Sequence, residues 1–471
     1  MDELRLDGEG IGMTTQMDQH NQLPLKTLHS EPTPNRAQPF APEADPVPVP
    51  NTMESSWCEI SQAAIRANMS VLRHRVGPMV KLGVVVKADG FGHGMVPCAR
   101  EFLAAGADWL IVNFAYEAVT LREAGLDAPI YICGNVPVHQ CDRVIATRSR
   151  IVLYDPDVAK ALSQLAQRSD WTVPVHLKIE TGTHRQGLYL DDALKLADLI
   201  QELDGLQLEG LTTHYADIED TTDHQFAQQQ LAGLNAAKAA FTEAGFDVPM
   251  IHSANSAATI LWPHAHGSLV RVGLASYGLW PSTETYATVL QTALAEADNP
   301  KDPRLLQEAG DLDRDLAPKH FIPHLSPVLS WRTRIAQVKS VPTGGYISYG
   351  RTFRANYPMR VAVLPLGYHE GYDRRLSNLG YVLIHGQRAP ICGRICMNMM
   401  VVDVTHIAAA QVGSVATLLG QDGNERISAE QLAAWMGTIN YEVVARIHPS
   451  QPRLLVQDGS EFDEHEDAKS R

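Results

Sequence analysis

Short apolar runs rich in β-branched residues recur between residues 81 and 272: KLGVVV, WLIVNF, PIYIC, RIVLY, VPVHLKI, LQLEGLTT, PMIH and SLVRV. Their length and composition predict about eight strands. Between them, segments such as CAREFLAAG, YEAVTLREAGL, DVAKALSQLAQRS and HQFAQQQLAGLNAAKAAFTEAG place apolar residues at helical spacing, several stopped by Gly. Eight strand–helix units over roughly 200–250 residues are the pattern of a closed parallel (β/α)8 barrel of the TIM type. An open doubly wound sheet is the alternative arrangement of the same units.

After Pro281 the pattern changes. The stretch ETYATVLQTALAEADNPKDPRLLQEAGDLDRDLAPKH mixes one helix-like segment with charge and proline, and reads as an inserted surface excursion outside the core. From Leu325, strand-like runs dominate: WRTRIAQVKSV, RVAVLPLGY, GYVLIHG, MVVDV, SVATLL and YEVVARI, with one helix at SAEQLAAWM. They predict a second, mostly β C-terminal domain. The polar, proline-rich start cannot bury enough apolar surface to fold, and the charged end lacks periodicity. The expected division is a disordered leader at 1–56, the barrel at 57–283, an insertion or linker at 284–324, the β-rich domain at 325–457 and a disordered tail at 458–471.

Composition narrows the partners. A chain of 471 residues exceeds what one hydrophobic core usually holds. A formal net charge of -15 argues against a polyanionic nucleic acid. The six cysteines show no CxxC or Cys/His ligand spacing, so neither a disulfide framework nor a metal site is expected. No stretch approaches the ~20 apolar residues of a transmembrane helix, which predicts no membrane partner and a cytoplasmic protein.

Catalytic groups of such barrels sit at the C-terminal ends of strands, so polar residues there carry meaning. The first strand ends VVVKADGFGHG, placing Lys87 where an apolar strand enters a glycine-rich turn. Partial desolvation lowers an amine's pKa and makes it a better nucleophile towards an aldehyde. A strand-end lysine snorkelling to solvent is the ordinary alternative. The later strands lead into KIETGTHRQG, LTTHYAD, HSANS and RVGLASYG, which brings Arg185, His214, Ser256 and Arg271 to one barrel mouth. Surface ion pairs, a satisfied core histidine and a helix N-cap explain each of these singly; jointly they describe a pocket. The Ser256 hydroxyl and the backbone N–H groups of Gly273 and Leu274 suit a phosphate near the last strands.

The ordered set KADGFGHG, KIETGTHRQGL, THYAD, HSANSA, VRVGLASYGLWP, YISYGRTF, LPLGYHEGY, GRICMN and TINYE, over about 57–453, resembles the motifs of the alanine racemase family. That resemblance implies pyridoxal 5'-phosphate as cofactor and a small amino acid as substrate, with D-alanine supplied for peptidoglycan. It implies a homodimer in which each site combines one barrel mouth with the partner's β domain. Lys87 would serve one face of the substrate, and Tyr349 of the other subunit the opposite face. Arg271 would meet the pyridine nitrogen, His214 would pack against the ring, and Arg185 would contact the phenolic oxygen and the substrate carboxylate. Asn255, Ser256, Gly273, Leu274 and Tyr441 would hold the phosphate end, and the backbone N–H of Met397 would face the substrate carboxylate. Lys178 matches a position often carbamylated in the family; an inward ion pair is its alternative.

The chain departs from the family pattern at several of these motifs. Phe91 stands where the family usually carries a tyrosine, Glu180 and Glu370 replace aspartates, Thr183 and His184 precede Arg185, and Asn398 replaces an aspartate. His184 and Asn398 fall near the expected substrate entrance, which keeps a serine or broad-specificity racemase open beside an alanine racemase. A related decarboxylase would not need the SYG and GRICMN blocks together, and a non-catalytic cofactor carrier would lack the β domain.

Overall fold

The computed structural model describes residues 54–296 and 322–457. All but the end of the expected leader, the expected tail and most of the expected insertion lie outside the described residues.

The first strand, β1 (Ser56–Ser61), leads into the helix Gln62–Val76, whose first turn is capped by the Ser61 hydroxyl accepting from Ala64 N–H at 2.9 Å. That helix buries Ile65, Met69, Leu72 and Val76, a stripe at helical spacing. The barrel follows as β2 (Lys81–Val85), β3 (Trp109–Val112), β4 (Ile130–Ile132), β5 (Arg150–Leu153), β6 (Val173–Lys178), β7 (Leu206–Thr212), β8 (Met250–His252) and β9 (Leu269–Val272). Each strand falls on one of the eight runs read from the sequence. All pair in parallel in the order β8-β7-β6-β5-β4-β3-β2-β9. The remaining seam is bridged where Ser268 N–H donates to Ile251 O at 2.8 Å and Arg271 N–H to Ala254 O at 2.9 Å. This near-closure distinguishes the fold from an open doubly wound sheet. Trp109, Ile111, Tyr131, Val152, Met250 and Leu269 pack as one buried cluster drawn from five barrel strands.

Beyond the barrel lie β10 (Leu329–Arg334), β11 (Gln337–Val341), β12 (Tyr346–Ile347), β13 (Phe353–Arg354), β14 (Met359–Leu364), β15 (Tyr381–Ile384), β16 (Gln387–Pro390), β17 (Met400–Asp403), β18 (Val415–Asp422), β19 (Glu425–Ile427) and β20 (Arg453–Val456). The main sheet runs β16-β15-β18-β10-β1-β20, with β19 on β18. Strand β1 is therefore not a barrel strand, although the sequence reading opens the barrel at residue 57. It pairs antiparallel with β10 and parallel with β20. Trp57, Cys58, Glu59 and Ile60 are all buried, so the run lacks the alternation that reveals a half-exposed strand.

Two local expectations change. YEVVARI, read as a strand, forms the helix Asn440–Ala445. A short apolar run does not separate the two states by itself, and here Val443, Val444 and Ile447 are buried at helical spacing. The segment after Pro281, read as lying outside the core, begins with the helix Thr283–Glu296, which buries Val289 and Ala293.

Candidate active site

Lys87 lies two residues beyond β2 and opens a run of left-handed backbone, with φ of 53° at Ala88, 54° at Asp89, 62° at Gly90, 52° at Phe91 and 80° at Gly92. Such a conformation costs about 1–2 kcal/mol for each residue bearing a Cβ. Side chains hold it in place. The buried Glu117 carboxylate accepts from Ala88 N–H at 2.8 Å, and Asp89 accepts from Met95 N–H at 2.9 Å. Gly92 is required by close approach, since a Cβ there would lie 1.9 Å from the Val444 carbonyl oxygen.

The barrel strands and their C-terminal loops surround a cavity of about 450 Å³ lined by Lys87, Lys178, Arg185, His214 and Arg271, among others. Among the described residues no carboxylate lines it, so four lysine and arginine side chains converge without a counter-charge in the wall. That arrangement suits an anionic guest.

Arg271 is buried at the cavity wall. Its Nη1 contacts Thr212 Oγ1 at 3.2 Å and His252 Nδ1 at 2.6 Å; its Nη2 donates to Thr213 O at 2.9 Å and Ser253 O at 3.0 Å, with His214 Nδ1 at 3.5 Å. The protein thus occupies both terminal nitrogens and fixes the guanidinium plane. Burial, reinforced by the Arg271 charge, holds His214 well below its ordinary range, so the imidazole is neutral. Lys178 donates to Gln186 Oε1 at 3.1 Å. Burial lowers it to about 8, with Arg271 and Arg185 adding repulsion. Its expected inward position is therefore occupied, with an amide rather than a carboxylate as partner.

Beside the cavity, Ser256 Oγ accepts from Gly273 N–H at 2.9 Å and Ala275 N–H at 3.4 Å. The neighbouring Leu274 is buried, and Asn255 caps the following helix by accepting from Ala258 N–H at 2.9 Å. The Asn255 amide donates to Glu219 Oε2 at 3.0 Å, and Tyr441 hydrogen-bonds the same carboxyl. Burial, with the nearby Asp220 charge, pushes Glu219 up to about 7. Glu219 escapes a sequence reading because it sits in a charged loop, ADIED, that resembles solvated surface. Asn113, Cys133, Thr212 and His252 were not singled out from the sequence either, although each lies at or next to the end of a predicted strand.

Two expected residues are not brought to this cavity. Tyr349 is 72% exposed and Met397 56% exposed, and neither lines it. Both belong to the β-rich region, where Ser348 before Tyr349 is left-handed at φ 63° and anchors to Arg394 O through its hydroxyl. The loop carrying Met397 is held by Tyr368 N–H donating to Cys396 O at 3.1 Å and His369 N–H to Met397 O at 2.9 Å.

Residues 60–281 match the family model of the alanine racemase N-terminal domain, and residues 328–455 that of its C-terminal domain. An alanine racemase of Leptospira interrogans is 37% identical over 404 residues, covering 85% of this chain and 96% of the relative. One of Desulfovibrio desulfuricans is 36% identical over 401 residues, covering 85% and 98%. Among solved structures, the alanine racemase of Bacillus anthracis with bound L-Ala-P superposes at a TM-score of 0.75 with 29% identity, covering 87% of this chain and 97% of that one. The alanine racemase of a D-cycloserine-producing Streptomyces lavendulae gives 0.74 with 31% identity, covering 88% and 100%.

Proposed function

The chain belongs to the alanine racemase family, and on that premise we propose that its barrel mouth holds pyridoxal phosphate on Lys87 at rest and, with that amine released by the incoming substrate amine, interconverts L- and D-alanine. The observation that carries this reading is a cationic cavity with no carboxylate among the described residues that line it, with Lys87 at its wall and a hydroxyl-and-amide cradle beside it.

These residues fit the cofactor. Its phosphate suits Ser256, the N–H groups of Gly273 and Leu274, Asn255 and Tyr441, and partial protonation of Glu219 near neutral pH limits repulsion. Among the described residues, Arg271 Nε–H has no protein partner, which leaves one permanent donor for a pyridine nitrogen. A guanidinium donates without giving up its proton, so it keeps that nitrogen unprotonated.

When bound, the conjugated cofactor supplies the electron sink that acidifies the substrate Cα proton. Inversion then needs one base on each face. Lys87 moves the proton on one face, and the hydroxyl of Tyr349 of the partner subunit moves it on the other. Arg185 holds the substrate carboxylate, joined by the backbone N–H of Met397 of the partner subunit. A homodimer with shared sites is supported by the exposure of Tyr349 and Met397 outside their own chain's cavity. The described helices include none long and apolar enough to cross a membrane.

A chiral assay across alanine, serine and basic amino acids, with borohydride trapping of the cofactor, tests the reading. Alanine is expected to be the preferred substrate and Lys87 the labelled residue. Serine turnover matching that of alanine would overturn the substrate, and label on another lysine would overturn the site.

A further inference from the structure

Behind the cavity wall, five residues form one hydrogen-bonded chain through the barrel. Arg271 Nη1 lies 2.6 Å from His252 Nδ1, His252 Nε2 lies 2.7 Å from His176 Nδ1, and His176 Nε2 lies 2.8 Å from Glu209 Oε2. Glu209 takes Arg150 in a bidentate pair at 2.7 and 3.2 Å. Both histidines are 0% exposed.

The chemistry assigns every proton in this chain. A guanidinium only donates, so His252 Nδ1 accepts and its proton sits on Nε2. That N–H donates to His176 Nδ1, which leaves the His176 proton on Nε2, facing the carboxylate. Burial holds both imidazoles below their ordinary range, so each carries a single proton. The opposite pair of tautomers would set N–H against N–H at Arg271 and leave an imidazole lone pair facing the carboxylate at Glu209.

The backbone is shaped for the same chain. Pairing of β6 with β7 shifts register between Val175 and His176, so Val175 faces Leu208, His176 faces Gly210, and Glu209 is the extra residue. A bulge of this kind re-aims a side chain. A Cβ at Gly210 would lie 2.4 Å from His176 Nδ1, so glycine makes room for the ring. At the other end, the Arg150 guanidinium sits 4.5 Å over the Trp109 ring.

We propose that Glu209 and Arg150 are positioning residues for Arg271: acting from the middle of β7 and the start of β5, they lock His176 and His252 in the Nε2–H form. His252 thereby stays an acceptor, and Arg271 keeps the orientation it presents to the cavity. The link to turnover rests on Arg271 meeting the cofactor's pyridine nitrogen; the tautomer lock itself does not.

The test is nitrogen NMR of [15N]histidine-labelled full-length protein, with the two signals assigned from His176→Gln and His252→Gln variants. The unsubstituted protein is expected to show both rings neutral and protonated at Nε2. A cation or an Nδ1–H ring at either position overturns the lock, whether or not the Glu209 variant folds. In Glu209→Gln one of the two acceptor oxygens becomes an amide N–H that must oppose a donor of Arg150 or face His176, and turned towards His176 it inverts both tautomers. Loss of the single tautomer set is expected, with kcat for alanine reduced about tenfold or more and KM changed far less. Unchanged tautomers in that variant overturn the role of Glu209. Changed tautomers with unchanged kcat overturn the link to Arg271 while leaving the assignment of Lys87 standing.

Discussion

Glu117 Oε1 accepts a 2.8 Å hydrogen bond from the backbone N–H of Ala88, the residue that follows Lys87. Its other oxygen accepts from Asn113 N–H at 2.7 Å and Phe114 N–H at 3.0 Å. One carboxylate, 2% exposed, therefore ties the loop after β2 to the loop after β3 and holds the lysine turn in its left-handed form. Replacing Glu117 with Gln turns an N–H towards at least one of these donors. The expected cost is about 2–3 kcal/mol, read as a lower unfolding midpoint together with faster loss of cofactor on dialysis. An unchanged midpoint and unchanged retention would show that the turn does not depend on this carboxylate.

Lys178 gives a pH dependence whose sign can be worked out. Its folded-state value of about 8 lies below the ordinary 10.5, so the amine is mostly charged at pH 7 and mostly neutral at pH 9. Only the neutral amine reacts with carbon dioxide. In 13C-bicarbonate a carbamate signal is expected to grow from pH 7 to pH 9 and to vanish in Lys178→Gln. Between pH 8 and 10.5 the unfolded chain binds more protons at this group, so its contribution to stability rises with pH. A carbamate signal that persists in the variant would remove Lys178 from the assignment.

Sharing of sites is testable by mixing inactive subunits. A hybrid of Lys87→Ala and Tyr349→Phe chains has one site lacking both bases and one with both intact. With equal amounts and full exchange, roughly a quarter of the original activity should return. Exchange demonstrated by mass, with no activity regained, would exclude a composite site.

The barrel was legible because each of its strands is a short β-branched run beside a helix of clear period, and local pattern and global fold agree. The same logic found Lys87, Arg185, His214 and Arg271, since a polar residue at a strand end interrupts an apolar pattern. Strand β1 was hidden because both of its faces are buried, and the helix Asn440–Ala445 because YEVV suits either state. Glu117 and Glu209 were invisible for a different reason: each looks like an ordinary solvent-facing carboxylate in sequence. Only the tertiary fold shows the first gathering backbone N–H groups and the second displaced inward by a bulge. Tyr349 and Met397 came from the family resemblance alone, because no local pattern sets them apart from other surface residues.

Phe91 bears on how tightly the phosphate end is held. Its Cζ lies 3.1 Å from the position a Cβ would take on Gly273, whose N–H belongs to the Ser256 cradle. A hydroxyl on that carbon would lie against Gly273, beside the cradle, and add a donor for a charged oxygen held there. Phe91→Tyr is expected to tighten cofactor binding by about 1–2 kcal/mol, roughly 5- to 30-fold. Equilibrium dialysis against pyridoxal phosphate reads this directly, and equal or weaker binding would mean that the new hydroxyl finds a protein acceptor instead.

Two departures from the family pattern, Glu370 and Asn398, turn out to be one feature. The Asn398 amide donates to Glu370 Oε1 at 2.6 Å, and Glu370 Oε2 accepts from Gly367 N–H at 2.8 Å. Together with the backbone bonds from Tyr368 and His369, this pair zips the GYHEGY loop to the segment that carries Met397. An aspartate at residue 398, though common in the family, would here oppose a second carboxylate at contact distance. Asn398→Asp should therefore loosen the Met397 loop and raise KM for alanine about three- to tenfold with a smaller change in kcat, the pattern of lost substrate binding. Adding Glu370→Gln to that variant restores a donor–acceptor pair and should recover most of the loss. If the double variant stays as impaired as the single one, the Glu370–Asn398 contact does not set the position of Met397.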